Sequence, residues 1–284
     1  MILVDMNQIG VASVMMHLNI TKSHTVEEDM VRHMILNSLR MYRERFFDEF
    51  GELVICYDSK HYWRREYYPE YKASRKKTRE TSGHDWNNIF GCLNSIKEEL
   101  TESFPYKVIE VYGAEADDII ASLCMEHASS CPNILILSGD KDFVQLHKYK
   151  EVKQYSPVTK KFINGPDPIE YLYEHILKGD VSDGVPNVLS PDNTFVDGLR
   201  QRPLSKKKIS SWAGPMCEQL LPNEELKRNY QRNKKLIDLT ECPRNLYDEC
   251  VQAYSETPEG DRSKLLNYFI DKKLSILMDN IGDF

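Results

Sequence analysis

The sequence predicts an α/β fold: a mainly parallel central sheet covered by helices on both faces, followed by a smaller helical domain. Apolar runs of strand length recur at Ile2–Val4, Leu53–Tyr57, Lys107–Val111 and Asn133–Leu137, with helix-like patterns between them. Strands that alternate with helices imply parallel pairing with both faces covered. After Gly179 the strand-like runs stop, Pro and Gly punctuate residues 184–215, and the remainder reads as helical. The expected units are therefore 1–175 and 176–284.

The helices carry their own signals. Thr25 followed by Glu28 reads as a capping box, and behind it Val31, Ile35, Leu39, Tyr42 and Phe46 share one helical face, with His33 incidental. A second helix is expected over Ala114–His127 and a third over Asp167–Lys178, with Pro168 in its first turn. Residues 265–278 form an amphipathic stretch expected to pack within the helical domain.

A chain of 284 residues can bury a sizeable core, and no apolar run approaches the roughly 20 residues of a membrane helix. No basic-then-apolar leader precedes the first strand, and the seven cysteines contain no Cys-x-x-Cys pair. These features point away from a zinc site or disulfide framework and toward a reducing, cytoplasmic compartment. The net charge of −7 is segregated: eight Lys or Arg face three Glu between Lys60 and Glu80, and five basic residues without an acid lie between Arg200 and Lys208. That segregation suits a protein that grips phosphates in one place and holds cations in another.

The acids fall where an α/β sheet builds its sites. Asp5 ends the first strand, Asp58 ends the second, and Asp140 and Asp142 follow the fourth in Ser138-Gly-Asp-Lys-Asp-Phe143. Glu115, Asp117 and Asp118 open the helix after the third strand, and Asp180 and Asp183 lie just past the boundary. Ligands of open α/β sheets bind outside the carboxyl ends of the strands, so these groups are expected to converge. Any one of them could merely cap a helix. Crowded together they repel one another, and oxygen-only ligands select a hard ion such as Mg²⁺ or Mn²⁺. Two such ions about 4 Å apart form the clamp of a phosphoryl-transfer site. Asp180–Gly184 lacks the final Glu of a calcium loop, and no Ser-His or Cys-His pairing competes.

Three residues after Asp58 begins His61-Tyr-Trp-Arg-Arg-Glu-Tyr-Tyr-Pro-Glu-Tyr-Lys-Ala-Ser-Arg-Lys-Lys77, which interleaves rings with cations. Rings such as Tyr71 can stack on unpaired bases, while Lys76 and Lys77 neutralise phosphates. Lys72 and Arg75 are the expected contacts to the scissile phosphate. Arg200, Arg202, Lys206, Lys207 and Lys208 are read as a sequence-independent duplex contact.

The order and spacing of Val4-Asp-Met-Asn-Gln8, Tyr62-Trp-Arg-Arg65, Glu115-Ala-Asp-Asp118, Ser138-Gly-Asp-Lys-Asp-Phe143, Gln145-Leu-His-Lys-Tyr149 and Leu177-Lys-Gly-Asp180 resemble the flap endonuclease-like 5′ nuclease family, and within it the ribonuclease H branch of T-even-type bacteriophages. The resemblance implies a mixed sheet in a PIN-like 5′ nuclease core, a helical arch over about 59–105, and a helix-three-turn-helix element in the C-terminal domain. It implies that Asp5, Asp58, Asp117 and Asp140 hold one ion, and that Glu115, Asp142, Asp180 and Asp183 serve a second, partly through water. Asp118 matches an acid of phage members, and Lys72 and Arg75 match arch residues that engage the reacting phosphate. The implied activity is 5′→3′ removal of RNA primers and adjacent DNA, with flap cutting, on branched, flapped or nicked DNA and RNA–DNA hybrids. A monomer is expected, with a single-stranded DNA-binding protein and a sliding clamp as candidate partners, in the host cytoplasm if the gene is a phage's. Gly184 stands where family members commonly carry Asn, and Val188-Leu-Ser-Pro-Asp-Asn-Thr-Phe195 lacks their Gly-x-Gly turn. The bound potassium ion of that hairpin therefore does not carry over. The rival readings are a catalytically silent branched-DNA binding module and a single-strand ribonuclease with a smaller carboxylate site.

Overall fold

The computed structural model describes residues 1–284. Its strands are β1 (Ile2–Asp5), β2 (Leu53–Cys56), β3 (Lys107–Ile109), β4 (Ile134–Leu137), β5 (Val152–Ser156) and β6 (Lys161–Phe162). They form one sheet in the order β3-β2-β1-β4-β5-β6, with only β6 antiparallel to its neighbour. Central strands buried on both faces are apolar throughout, and their pleat still sorts the side chains. Ile2, Val4, Leu53, Ile55, Leu135 and Leu137 point to one face, while Leu3, Val54, Cys56, Ile134 and Ile136 point to the other. The expected second and third strands stop early, at Cys56 and Ile109.

The helices are α1 (Met6–Thr21), α2 (Glu28–Phe50), α3 (Trp63–Tyr67), α4 (Ser74–Thr81), α5 (Trp86–Ser103), α6 (Ala116–His127), α7 (Pro168–Lys178), α8 (Lys206–Trp212), α9 (Cys217–Leu220), α10 (Glu224–Ile237), α11 (Arg244–Glu256), α12 (Leu265–Asp271) and α13 (Ser275–Met278). Helices α1, α2 and α5 cover the first face, and α6 with α11 covers the second. Of the stretch expected to form the arch, only α4 has no buried residue; α5 is seated in the core through Ile89, Cys92, Ile96 and Leu100. A third core joins α7, α8 and α10 to Tyr68 and Tyr71.

Two expectations are corrected here. The Thr25–Glu28 capping box does not form. Asn88 accepts a hydrogen bond from the Val26 backbone at 2.7 Å, α2 starts only at Glu28, and Glu28 turns along the helix to pair with Arg32. Nor does the 265–278 stretch stay within the helical domain. It breaks at Lys273, in the left-handed region at φ 56°, and returns to the sheet's first face. There Phe104 meets Tyr268, Phe269 and Phe284 at ring-centroid distances of 5.1, 6.1 and 5.8 Å. The returning chain crosses the Phe104–Pro105 backbone at Gly260, where a Cβ would collide with the Phe104 carbonyl.

The loop between α7 and α8 is held by side chains. Asp192 pairs with Arg228 and Arg232 of α10, and Asn187 donates to the Arg202 carbonyl at 2.9 Å while accepting from Leu189 and Ser190. No helix is long and apolar enough to cross a membrane. If the C-terminal return is integral to the core, Phe269→Ala should cost about 3–5 kcal/mol in urea-induced unfolding. A loss below about 1 kcal/mol would show that the segment merely rests on the surface.

Candidate active site

The sheet order reverses between β1 and β4, and in an open α/β sheet the ligand cleft lies at the carboxyl ends of these strands. Asp5 closes β1 and caps α1. Its carboxylate accepts from the Gln8 backbone at 3.1 Å and from the Ser138 hydroxyl at 2.9 Å. Asp58 follows β2 and accepts from the Ala116 backbone at 2.7 Å, which ties it to the start of α6. Asp140 follows β4 and accepts from the Asp142 backbone at 2.9 Å, and Gln8 fixes the intervening turn by accepting from Gly139 at 2.6 Å. Asp117, in the first turn of α6, completes this group.

These acids sense one another. Burial and the Asp58 charge push the Asp5 carboxyl up to about 6. Burial, Asp140 and Asp5 push Asp117 well above the carboxylate range, against the pull of Lys72. Burial and Glu115 raise Asp58, and burial with Asp183 and Asp180 raises Asp140. An oxygen-only donor set under mutual repulsion fits a hard divalent ion, which would relieve the strain that protons otherwise relieve.

A second lobe lies between β4 and the chain after α7. Burial pushes Asp142 up to about 8, although the His175 ring opposes the shift. Asp180 is held far below the usual range: burial opposes ionisation, but His175 and Ser182 outweigh it. His175 of α7 lies 3.6 Å from Asp142 and 3.5 Å from Asp180. Sequence reading passed over this residue; a single His on a half-apolar helix carries no signal until the turn after it is placed.

The cations and Glu115 are arranged differently from the expectation. Glu115 is buried and accepts from Lys72 at 2.6 Å, from Arg64 at 3.0 Å and from the Tyr71 hydroxyl at 3.1 Å. Lys72 is itself buried. Burial would lower its ammonium, but Glu115 and Asp183 override that and keep it charged. Asp183 accepts from Arg75 at 2.7 Å and from Tyr71 at 2.8 Å. The Lys72 backbone donates to the Asp183 carbonyl at 2.7 Å, and this approach requires Gly184. At φ 75°, a Cβ there would press on the Glu70 carbonyl at 3.1 Å.

Two expected site residues are placed elsewhere. Asp118 faces away from the cleft: it is wholly buried, accepts from Arg64 at 2.8 Å, Trp63 at 3.2 Å and the Glu115 backbone at 3.0 Å, and so caps α6. Neighbours on a helix point about 100° apart, and the Asp118 carboxylate is turned to Arg64 and Trp63 while Asp117 is turned to Asp140 and Asp5. Tyr71 is buried in the third core with its hydroxyl on two carboxylates, and offers no face to a base. Lys76 and Lys77 are exposed on α4, Arg75 is half exposed, and Arg200, Arg202, Lys206, Lys207 and Lys208 are exposed on the loop before α8 and its first turn.

A family model described as "5'-3' exonuclease, N-terminal resolvase-like domain" matches residues 1–173, and one described as "T4 RNase H, C terminal" matches 166–284. Ribonuclease H of Enterobacteria phage T4 is 33% identical over 293 residues, covering 99% of this chain and 95% of that protein. Flap endonuclease Xni of Shewanella sp. (strain MR-4) is 31% identical over 134 residues, which is 44% of this chain and 48% of that protein. Among solved structures, the flap endonuclease of bacteriophage T5 in complex with DNA and metal ions superposes with a TM-score of 0.67 at 17% identity, covering 90% of this chain and 98% of that one. The T5 5′-exonuclease with bound zinc gives 0.61 at 15% identity over the same shares. At these identities the structural likeness is one of fold.

Removing the Asp118 carboxylate leaves Arg64 a buried, partly unpaired charge. Asp118→Asn should therefore cost about 3–5 kcal/mol of stability while leaving Mn²⁺ affinity unchanged in calorimetry; weakened Mn²⁺ binding would return Asp118 to the ion site. The raised carboxyls give a second expectation. A group whose pKa is higher in the folded state stabilises the fold below its unfolded pKa of about 4, and loses that contribution as pH rises through its folded pKa. For Asp5 and Asp142 those values are about 6 and about 8. Thermal scans in chelator should show the metal-free protein melting lower at about pH 8.5 than at about pH 5.5. Added Mg²⁺ should raise the midpoint more at the higher pH, where protons no longer compete. The reverse trend would contradict the electrostatic account.

Proposed function

The chain belongs to the 5′-3′ exonuclease family, and on that premise we propose that it uses two Mg²⁺ ions to hydrolyse phosphodiester bonds near 5′ ends, in flapped or nicked DNA and in the RNA of RNA–DNA hybrids. The observation that carries this reading is the meeting of Asp5, Asp58, Asp117 and Asp140 from three strand ends and one helix start, each with its carboxyl raised by burial and by its neighbours. Those four would hold the first ion. Asp142 and Asp180 would hold the second, with Asp183 reaching it partly through water, while Glu115 would act on the site through the Lys72 it holds. When bound, such ions supply Lewis acidity at the phosphate and make water a stronger acid.

The rest is the work of the protein's own groups. Ser138, Gln8 and the Ala116 backbone fix the rotamers of Asp5 and Asp58 and the turn that carries Asp140, so the donors are set before substrate arrives. Arg75, half exposed beside Asp183, would draw a phosphate to the edge of the cleft. Lys72, deeper in on Glu115, would add positive charge where charge develops on the phosphoryl oxygens. The exposed cations of α4 and of the α8 entrance would track backbone phosphates on either side, which binds strands without reading their sequence. The relatives named above as a ribonuclease H and as flap endonucleases support RNA–DNA hybrids and flaps as the substrate class. Lagging-strand primer removal in phage replication would use both activities.

Asp117→Asn keeps the shape of the side chain while removing a ligand charge. Cleavage of a 5′-labelled flap substrate in Mg²⁺ should fall below detection, with binding to the same substrate retained in gel-shift assays. Turnover near the wild-type rate would reject the ion assignment, and an inactive wild-type protein would favour the silent binding module.

A further inference from the structure

Three side chains from three elements converge where α7 ends beside the cleft: Asp142 from the turn after β4, His175 from the last turn of α7, and Asp180 just past the helix terminus at Gly179. Their ligand atoms all lie within 4.8 Å of one another. The Nε2 atom of His175 stands 3.6 Å from Asp142 Oδ1 and 3.5 Å from Asp180 Oδ2. These spacings are too long for good hydrogen bonds. They lie near the separation of about 3.0–3.4 Å between adjacent donors around one ion with bonds of about 2.1 Å.

The ring is also oriented for the task. Its Nδ1 lies 3.1 Å from the Tyr171 hydroxyl, one turn back on the same helix. With Nδ1–H donating to that oxygen, Nε2 is the ring atom that faces the two carboxylates; it is buried without a hydrogen-bond partner, and an ion entering there would take the place of its proton. A second partner on the far ring nitrogen is the usual support of a metal-bound imidazole. Tyr171 and His175 are one helical turn apart, and Asp167 caps the helix by accepting from Ile169 and Glu170, so the arrangement is fixed by local structure.

We propose that His175 is a nitrogen ligand of the ion held by Asp142 and Asp180. Most of this cleft offers only oxygen, and imidazole suits softer first-row ions better than Mg²⁺. The two ion positions are thereby unlike: the one at Asp5, Asp58, Asp117 and Asp140 is a hard oxygen site, and the one at His175 favours Mn²⁺ over Mg²⁺. This inference rests on the two-ion reading above and adds to it the identity of one donor atom and a metal preference.

The test uses the full chain loaded with Mn²⁺ in the absence of nucleic acid, read by pulsed electron paramagnetic resonance. Wild-type protein should show modulation from a directly bound imidazole nitrogen, and ¹⁵N-histidine labelling should change its frequencies, a result that needs no variant to fold. His175→Gln should lose the modulation, weaken one of two Mn²⁺ affinities by about tenfold or more in calorimetry, and narrow the Mn²⁺ over Mg²⁺ preference of that site. Two bound Mn²⁺ ions with no nitrogen coupling in the wild-type protein would overturn the inference and leave the two-ion reading standing. No Mn²⁺ binding at all would overturn both.

Discussion

Like charges crowded at one sheet edge are the constraint that orders this molecule. A single strand-end carboxylate is ordinary. Here several share a cleft, so Asp5, Asp117 and Asp142 are harder to ionise than they would be alone, and the surrounding residues answer that difficulty. Lys72 and Arg64 sit on Glu115, Arg75 sits on Asp183, and His175 stands between Asp142 and Asp180. The free protein thus carries its own partial neutralisation. Lys72 is accordingly buried on an acid rather than reaching into solvent.

Holding such a cleft open needs a rigid frame. The parallel strands supply it by placing Asp5, Asp58 and Asp140 on adjacent ends, and the two packed faces keep those ends in register. The C-terminal segments reinforce the frame from both sides. Residues of α11 join the core under α6, and α12, α13 and Phe284 join the core under α2 and α5. The chain after residue 176 is thus split in its loyalties: α8–α10 build a separate core around Tyr68 and Tyr71, while the remainder clasps the sheet.

Much of this was legible in the sequence, because four apolar runs, three closed by acids and the other leading to an acidic helix start, are a pattern with one simple structural meaning. The strand β5 escaped notice because Lys153 and Gln154 break its apolar run, although Gln154 is buried through hydrogen bonds to Ser138 and Asp140 carbonyls. Helix α1 was not singled out because Met16 and Ile20 leave apolar residues on its exposed side as well. Side-chain direction was the harder matter. Spacing alone does not say which of Asp117 and Asp118 faces the cleft, nor that a tyrosine among lysines turns inward; Arg64, buried and bonded to the Leu236 carbonyl, decides the former. The C-terminal return was hidden because amphipathicity tells that a helix is covered but not by what.

Helix α7 bridges the halves of the molecule, starting at Asp167 near the sheet and ending at Gly179 beside the acids. Asp140 and Asp142 ride on the sheet, whereas Asp180 and Asp183 ride on the turn that α7 delivers. An ion shared by Asp142 and Asp180 would therefore draw on both halves, and the gap between those two carboxylates is a gauge of how the halves are seated against each other. A small rocking of the helical half, transmitted along a stiff rod one end of which is capped, would alter that gap before any bond in the substrate is touched.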